Sequence, residues 1–223
     1  MRILIINPNS NPQMCSAIQE TAEVFVQGRY EVACMPTPDA PDFIETYEDI
    51  LRAGPGMVRL VGEQASDWDA FIIACHYDPN LDAIKEIADK PVVGMGEASM
   101  IVASMLGHRF SIITTDEHSI PLHEECARKY HLHDLLASVR APEEGALDLS
   151  EEERIYRISQ LVIEEDMAEI IVLGCAGMAG LDKQLQSRLS VPVLDGIVCA
   201  LLLAEGFVRY RISTSKARRY QGR

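Results

Sequence analysis

The sequence predicts an α/β protein of two similar, pseudo-symmetric lobes, each with a mostly parallel sheet flanked by helices, and a cleft between them. Three observations carry this. Short apolar runs alternate with stretches of helical spacing, the pattern of βαβ units. The pattern restarts near residue 109, where RFSIITTDE (109–117) matches RILIINPNS (2–10). FIIACHYDPNLD (71–82) and IVLGCAGMAGLD (171–182) match at an offset of one hundred, which sets Cys75 and Cys175 in the same frame.

The elements follow in order. RILII (2–6) is a first strand closed by Asn-Pro, and 11–27 has helical spacing. YEVACM (30–35) is a second strand, the proline-rich 36–47 a loop, and 48–64 a helix. AFIIAC (70–75) is a third strand, with a helix over 81–88. PVVGM (91–95) is short and extended, before a helix over 97–106. The second half repeats this with RFSIIT (109–114) and a helix over 119–130. A mixed stretch, 131–149, leads to a helix over 150–166, which Ser150 caps with Glu153 in box position. EIIVLG (169–174), a helix over 181–189, PVLDG (192–196) and a closing helix over 197–211 complete the chain. KPVVGMGEASMIVASMLG (90–107) and VPVLDGIVCALLLAEG (191–206) end the two halves in one form. Glu97 and Asp195 stand at those helix starts, where a carboxylate complements the macrodipole. The lobes are expected over 1–97 plus 196–223, with the closing helix and tail packing back, and over 98–195.

Composition narrows the function. Over 223 residues the net charge is −14, so a phosphate backbone is repelled and nucleic acid is not an expected partner. No run approaches the ~20 apolar residues of a membrane span. The N-terminus lacks the long apolar stretch of a signal peptide, which points to the cytoplasm. The basic tail RYRISTSKARRYQGR (209–223) reads as solvated or subunit-contacting. Of the six cysteines, none forms C-x-x-C, and Cys15, Cys34, Cys126 and Cys199 read as small buried hydrophobes. There is no phosphate loop, dinucleotide fingerprint or G-x-S-x-G. His108, His118, His123, His131 and His133 fall in one half, and His131-x-His133 reads as solvated loop rather than a metal site. No metal or organic cofactor is expected.

In open parallel sheets, ligands bind beyond the carboxyl ends of the strands. Those ends carry Asn7-Pro8-Asn9-Ser10, Cys75-His76, Thr114-Thr115 and Gly174-Cys175-Ala176-Gly177. Across a pseudo-twofold cleft, the two cysteines would approach a ligand from opposite sides. Two thiols flanking one acidic carbon suit inversion: one removes a proton, the other returns one to the opposite face. Helix N-termini after each strand are expected to favour the thiolate. Backbone donors at Gly174 and Gly177, with Ser10, Thr114 or Thr115, would hold the enolate oxygen.

These residues resemble the aspartate/glutamate/hydantoin racemase superfamily, and within it the hydantoin and allantoin racemases. The likeness spans roughly 1–208 and rests on INPNS (6–10), IIACHYDPNLDAI (72–84), PVVGMGEASM (91–100), LGHRFSIITT (106–115), IVLGCAGMAGL (171–181) and PVLDG (192–196). It implies a cofactor-independent racemase that acts on a hydantoin or allantoin-type ureide and assembles as a homo-oligomer. It implies Cys75 and Cys175 as the acid/base pair, and Asn7, Ser10, His76, Thr114, Thr115, Gly174, Ala176 and Gly177 as substrate-binding. Glutamate racemases carry Cys-Asn-Thr and Cys-Thr-His where this chain has Cys-His-Tyr and Cys-Ala-Gly, so a free amino acid is the weaker candidate substrate. An aromatic residue follows the first cysteine in hydantoin racemases, and His76 stands there. The competing expectations are an amino-acid racemase, a maleate-isomerase- or arylmalonate-decarboxylase-like enzyme, and a non-catalytic ligand-binding protein.

Overall fold

A computed structural model describes residues 1–142 and 149–222. Two four-stranded sheets form, and every neighbouring pair is parallel. In the first, β1 (Arg2–Asn7) and β3 (Ala70–Ile73) lie between β2 (Glu31–Pro36) and β4 (Val92–Gly94). In the second, β5 (Phe110–Ile113) and β7 (Ile170–Leu173) lie between β6 (Leu136–Arg140) and β8 (Val193–Asp195). The strand orders, 2-1-3-4 and 6-5-7-8, are one arrangement used twice. The central strands are covered on both faces, which is why they read as unbroken apolar runs.

Helices connect the strands: α1 (Pro12–Val26), α2 (Tyr47–Gln64), α3 (Leu81–Ile87) and α4 (Met95–Leu106), then α5 (Ile120–Lys129), α6 (Glu151–Glu164), α7 (Asp182–Arg188) and α8 (Gly196–Tyr210). The fourth helix of each half crosses over. Met100 and Ala103 of α4 pack with Phe110, Ile112 and Val172 of the second sheet. Ile197, Leu201 and Ala204 of α8 pack with Ile3, Ile5 and Ile72 of the first. Each such buried aliphatic side chain contributes about 1.5–3 kcal/mol relative to exposure. The exchange therefore makes the lobes depend on each other for their cores.

Both crossings start without a loop. Glu97 accepts the Gly94 N–H at 3.0 Å, so α4 begins at Met95, two residues earlier than the pattern suggests. Asp195 caps α8, accepting the Ile197 and Val198 N–H groups at 2.7 and 3.2 Å. Ser150 caps α6 through the Glu153 N–H, but the box does not close, because the Glu153 carboxylate turns to Arg188 at 2.7 Å. The stretch 131–149 contains a strand that was not foreseen, β6; residues 143–148 of it lie outside the described residues.

The basic tail, read above as solvated or subunit-contacting and assigned with 196–223 to the first lobe, folds back on that lobe of its own chain. Lys216 Nζ donates to the carbonyls of Lys85 and Glu86 at 2.8 Å, at the C-terminal end of α3, where a cation is favoured. Tyr220 donates to Asp82 at 2.6 Å, and Ser213 to the Asp89 carbonyl at 2.8 Å. No helix among the described residues is long and apolar enough to cross a membrane.

Candidate active site

The carboxyl ends of β1, β3, β5 and β7 meet around a cavity of about 300 Å³. Cys75, His76, Thr115, Gly174, Cys175, Ala176 and Gly177 all line it. The two cysteines sit in the same local turn. The Asp78 N–H donates to the Cys75 carbonyl at 3.0 Å, and the Met178 N–H to the Cys175 carbonyl at 3.0 Å. The Gly177 N–H donates to Cys175 Sγ at 3.3 Å, and the Tyr77 N–H does the same for Cys75. Gly174 has to be glycine for this turn. A Cβ there would lie 2.8 Å from both Ile112 Cγ2 and the Ile113 carbonyl oxygen.

The thiols are not poised as thiolates. Burial pushes both up from the ordinary thiol value, and the backbone donors only partly offset it. A charge on Cys175 pushes Cys75 further up. The expectation that helix N-termini would favour a thiolate fails for a geometric reason. The next α-helices begin only at Leu81 and Asp182. A single 3₁₀ turn over Ala176–Met178, capped by Cys175 through the Gly177 N–H, is the one helical start at either sulfur, too short to offset burial. Of the other cysteines, Cys15, Cys126 and Cys199 are buried, and Cys34 is half-buried with its sulfur 2.7 Å from that of Cys15.

Three expected site residues lie outside the lining. Asn7 is fully buried; its amide donates to Asn9 Oδ1 at 2.6 Å, and its carbonyl accepts from Thr37. Ser10 Oγ donates to Asp42 at 2.8 Å, and its N–H to the Pro41 carbonyl at 3.0 Å. The Thr114 hydroxyl is engaged by Ser119 and by His123. These groups shape the site from behind: Asn7 sets Asn9, and Ser10 tethers the loop after β2.

That loop supplies Phe43, Ile44 and Glu45 to the cavity, and Pro8, Asn9, Met14, Ala74, Tyr77 and Asp116 complete the lining. Sequence reasoning named Pro8 and Asn9 only as strand-end residues and missed the rest of these. The available signal was the length of the segment between β2 and α2, since long loops in compact domains are commonly functional. The lining contains two carboxylates, Glu45 and Asp116, and no Lys or Arg.

His76 lies at the cavity wall, but its ring points inward. Nε2 is 3.0 Å from Ser99 Oγ, and Nδ1 is 3.0 Å from Nδ1 of His123. Burial lowers the basicity of both imidazoles, that of His76 to about 4, so both are neutral near pH 7. His123 had no signal in the sequence; it is one histidine on an amphipathic helix. Among the described residues, no three His, Cys, Asp or Glu side chains converge as metal ligands.

Comparison with known proteins gives a consistent result. The family model described as Asp/Glu/Hydantoin racemase matches residues 3–204. A hydantoin racemase of Rhizobium meliloti is 37% identical over 226 residues, covering 99% of this chain and 94% of the relative. One from Pseudomonas sp. (strain NS671) is 35% identical over 228 residues, covering 99% and 91%. The crystal structure of an allantoin racemase from Pseudomonas fluorescens superposes with a TM-score of 0.93 at 35% identity, covering 100% of this chain and 97% of that one.

Proposed function

The chain belongs to the Asp/Glu/hydantoin racemase family and is a racemase. On that footing we propose that it inverts C5 of a hydantoin- or allantoin-type cyclic ureide by two-base, cofactor-independent proton transfer. The observation that carries this is the pair of matched turns that set Cys75 and Cys175 on one cavity.

In one direction the Cys75 thiolate takes the C5 proton, and the electron pair moves into the adjoining carbonyl as an enolate. The Cys175 thiol then protonates the opposite face. The enzyme is left with the thiol on Cys75 and the thiolate on Cys175, ready for the other enantiomer. The Cys175 and Ala176 N–H groups, with the Thr115 hydroxyl once it turns from Asp116, are the donors for the enolate oxygen, where charge develops. The Gly174 and Gly177 N–H groups are taken by the Ile113 carbonyl and Cys175 Sγ. The substrate class follows from the lining. An uncharged ring meets no repulsion there, whereas a dicarboxylic amino acid would face Glu45 and Asp116 without a cationic side chain. Phe43, Ile44 and Met14 offer an apolar side for a 5-substituent. A homo-oligomer is supported by the apolar side chains that α4 and α8 leave exposed, Ile101, Met105 and Leu202.

The test follows optical rotation of L-5-substituted hydantoins and (S)-allantoin in D₂O, with proton NMR of C5–H. Rotation decays and deuterium enters at C5 on this reading. Cys75→Ala and Cys175→Ala each lower kcat by about 10²–10⁴-fold, the usual contribution of a general acid or base. Full racemisation by either variant, or turnover of glutamate or aspartate in place of ureides, overturns it.

A further inference from the structure

A single run of hydrogen bonds passes behind the cavity from one lobe to the other. It begins at Ser99 in α4, whose Oγ lies 3.0 Å from His76 Nε2. His76 Nδ1 meets His123 Nδ1 at 3.0 Å, and His123 Nε2 meets Thr114 Oγ1 at 2.9 Å. Thr114 in turn meets Ser119 Oγ. The side chains of Ser99, His76, His123, Thr114 and Ser119 are all buried to at least nine-tenths. Each end has a backbone acceptor: the Gly96 carbonyl, 3.1 Å from Ser99 Oγ, and the Asp116 carbonyl, 2.7 Å from Ser119 Oγ.

With both imidazoles neutral, the donor count allows two arrangements that keep every side-chain link. In one, hydrogens point from Ser99 through His76 and His123 to Thr114, Ser119 and the Asp116 carbonyl. In the other, all five point back, and Ser99 donates to the Gly96 carbonyl. A neutral imidazole has one donor and one acceptor nitrogen, so reversing the run exchanges the tautomer of both histidines and adds no net charge. Two imidazoliums would put two donors face to face across the Nδ1–Nδ1 contact; a single one would not, and it is burial, which lowers both imidazoles, that keeps the pair neutral.

The run also touches both cysteine turns. His76 follows Cys75 directly. His123 Cε1 lies 3.1 Å from where a Cβ on Gly174 would sit, so its ring supports the residue before Cys175. The ring of Tyr77, two residues after Cys75, stands 4.9 Å from that of His123. One imidazole thus backs each cysteine turn, and the contact between them joins the lobes behind the cavity.

We propose that His76 and His123 form a neutral, tautomer-coupled pair that holds the two cysteine turns in register for proton transfer. The pair acts through the cysteines and does not touch substrate, so both are positioning residues. The inference rests on the two-cysteine reading, which requires both thiols to reach one carbon. A pair that can reverse its dipole suits an enzyme whose two resting forms carry the thiolate on opposite cysteines. Because racemisation has an equilibrium constant of one, kcat/KM stays equal in the two directions in any variant. A change in register therefore appears as a common loss of kcat/KM.

The test has a spectroscopic and a kinetic arm, both on the full chain. In protein labelled with ¹⁵N-histidine, His76 and His123 are expected to be neutral at pH 7, with a scalar coupling between their Nδ1 atoms across the hydrogen bond. An imidazolium at either position, or no coupling in a folded sample, overturns the proposal. His123→Phe keeps a ring and breaks the link; kcat is expected to fall about ten- to a hundredfold with KM little changed, the scale of a small misplacement of reacting groups. His123→Gln keeps one donor and one acceptor, and recovers part of the loss. Wild-type kcat in folded His123→Phe, or no recovery in folded Gln over Phe, overturns it. Deuterium entry at C5 by the wild-type enzyme is read separately, so failure of the two-cysteine reading is told apart from failure of the histidine pair.

Discussion

At the scale of single residues the two thiols set how the proposed reaction meets pH. Burial raises both, so near neutrality both cysteines are protonated, and the two-base reading needs one proton removed. Alkylation of Cys75 and Cys175 by iodoacetamide should be slower at pH 7 than for an exposed thiol and should accelerate through the alkaline range. Peptide mapping between pH 7 and 10 checks this, and fast labelling that does not vary with pH would contradict it. Gly174 offers a second residue-level prediction. A Cβ there meets Ile112, the Ile113 carbonyl and His123, so Gly174→Ala should cost about 1–3 kcal/mol and lower kcat, measured by urea unfolding beside rotation assays. The cysteines were legible in the sequence because the repeat put them in one frame. Asn7, Ser10 and Thr114 were legible as strand-end residues, but which way a side chain turns beyond the strand depends on partners far along the chain. Thr114 turns to His123, and Ser10 to Asp42.

At the scale of elements, the cavity wall is built from helix ends and one loop. Asn11 caps α1, with Oδ1 accepting the Gln13 and Met14 N–H groups at 3.0 and 3.1 Å. Asn11→Ala should destabilise the protein by about 1 kcal/mol. It should also raise KM, because Met14 lines the cavity one turn on. In α2 the Gly-Pro-Gly run is continuous helix, although Pro55 lacks the N–H that would bond the Leu51 carbonyl. The glycines explain why the run is tolerated. Gly56 lies so close to the loop after β2 that a Cβ would run into the Pro38 carbonyl and come within 2.7 Å of Thr37 Cγ2. Gly56→Ala should therefore push on the segment that carries Phe43, Ile44 and Glu45; a folded variant with unchanged KM would count against the loop as a wall of the site. Most elements were legible because central parallel strands are apolar throughout. The edge strand β6 was not, because Ser138 and Arg140 interrupt its apolar pattern. Those two side chains instead meet Asp166, at 2.6 Å from Ser138 and 2.7 Å from Arg140.

At the scale of the whole molecule, the exchanged helices make the lobes one cooperative unit, and a buried carboxylate sits where they join. The repeat made the two sheets legible, and the lobe bounds expected from it, 1–97 plus 196–223 and 98–195, assigned α8 to the first lobe and most of α4 to the second. Asp78, three residues after Cys75, accepts the Gly96 and Glu97 N–H groups at the start of α4 at 2.9 and 2.7 Å. It also accepts the hydroxyl of Tyr130, just after α5, at 2.7 Å. Burial, followed by the nearby Glu97 carboxylate, raises its pKa to about 7 against the pull of those three donors. The folded protein thus holds this proton more tightly than the unfolded chain does, where an aspartate titrates near 4. The sign follows: the contribution is full below about pH 4, falls as pH rises towards 7 and is flat above, over a range on the order of a few kcal/mol. Asp78→Asn keeps an acceptor for one of the N–H groups and removes the titration. Urea unfolding at pH 5 and pH 7.5 should show a larger loss of stability on going to the higher pH in the wild-type protein than in Asp78→Asn. An equal loss in both would mean that Asp78 is charged throughout that range, and that its three donors outweigh burial at the junction of the lobes.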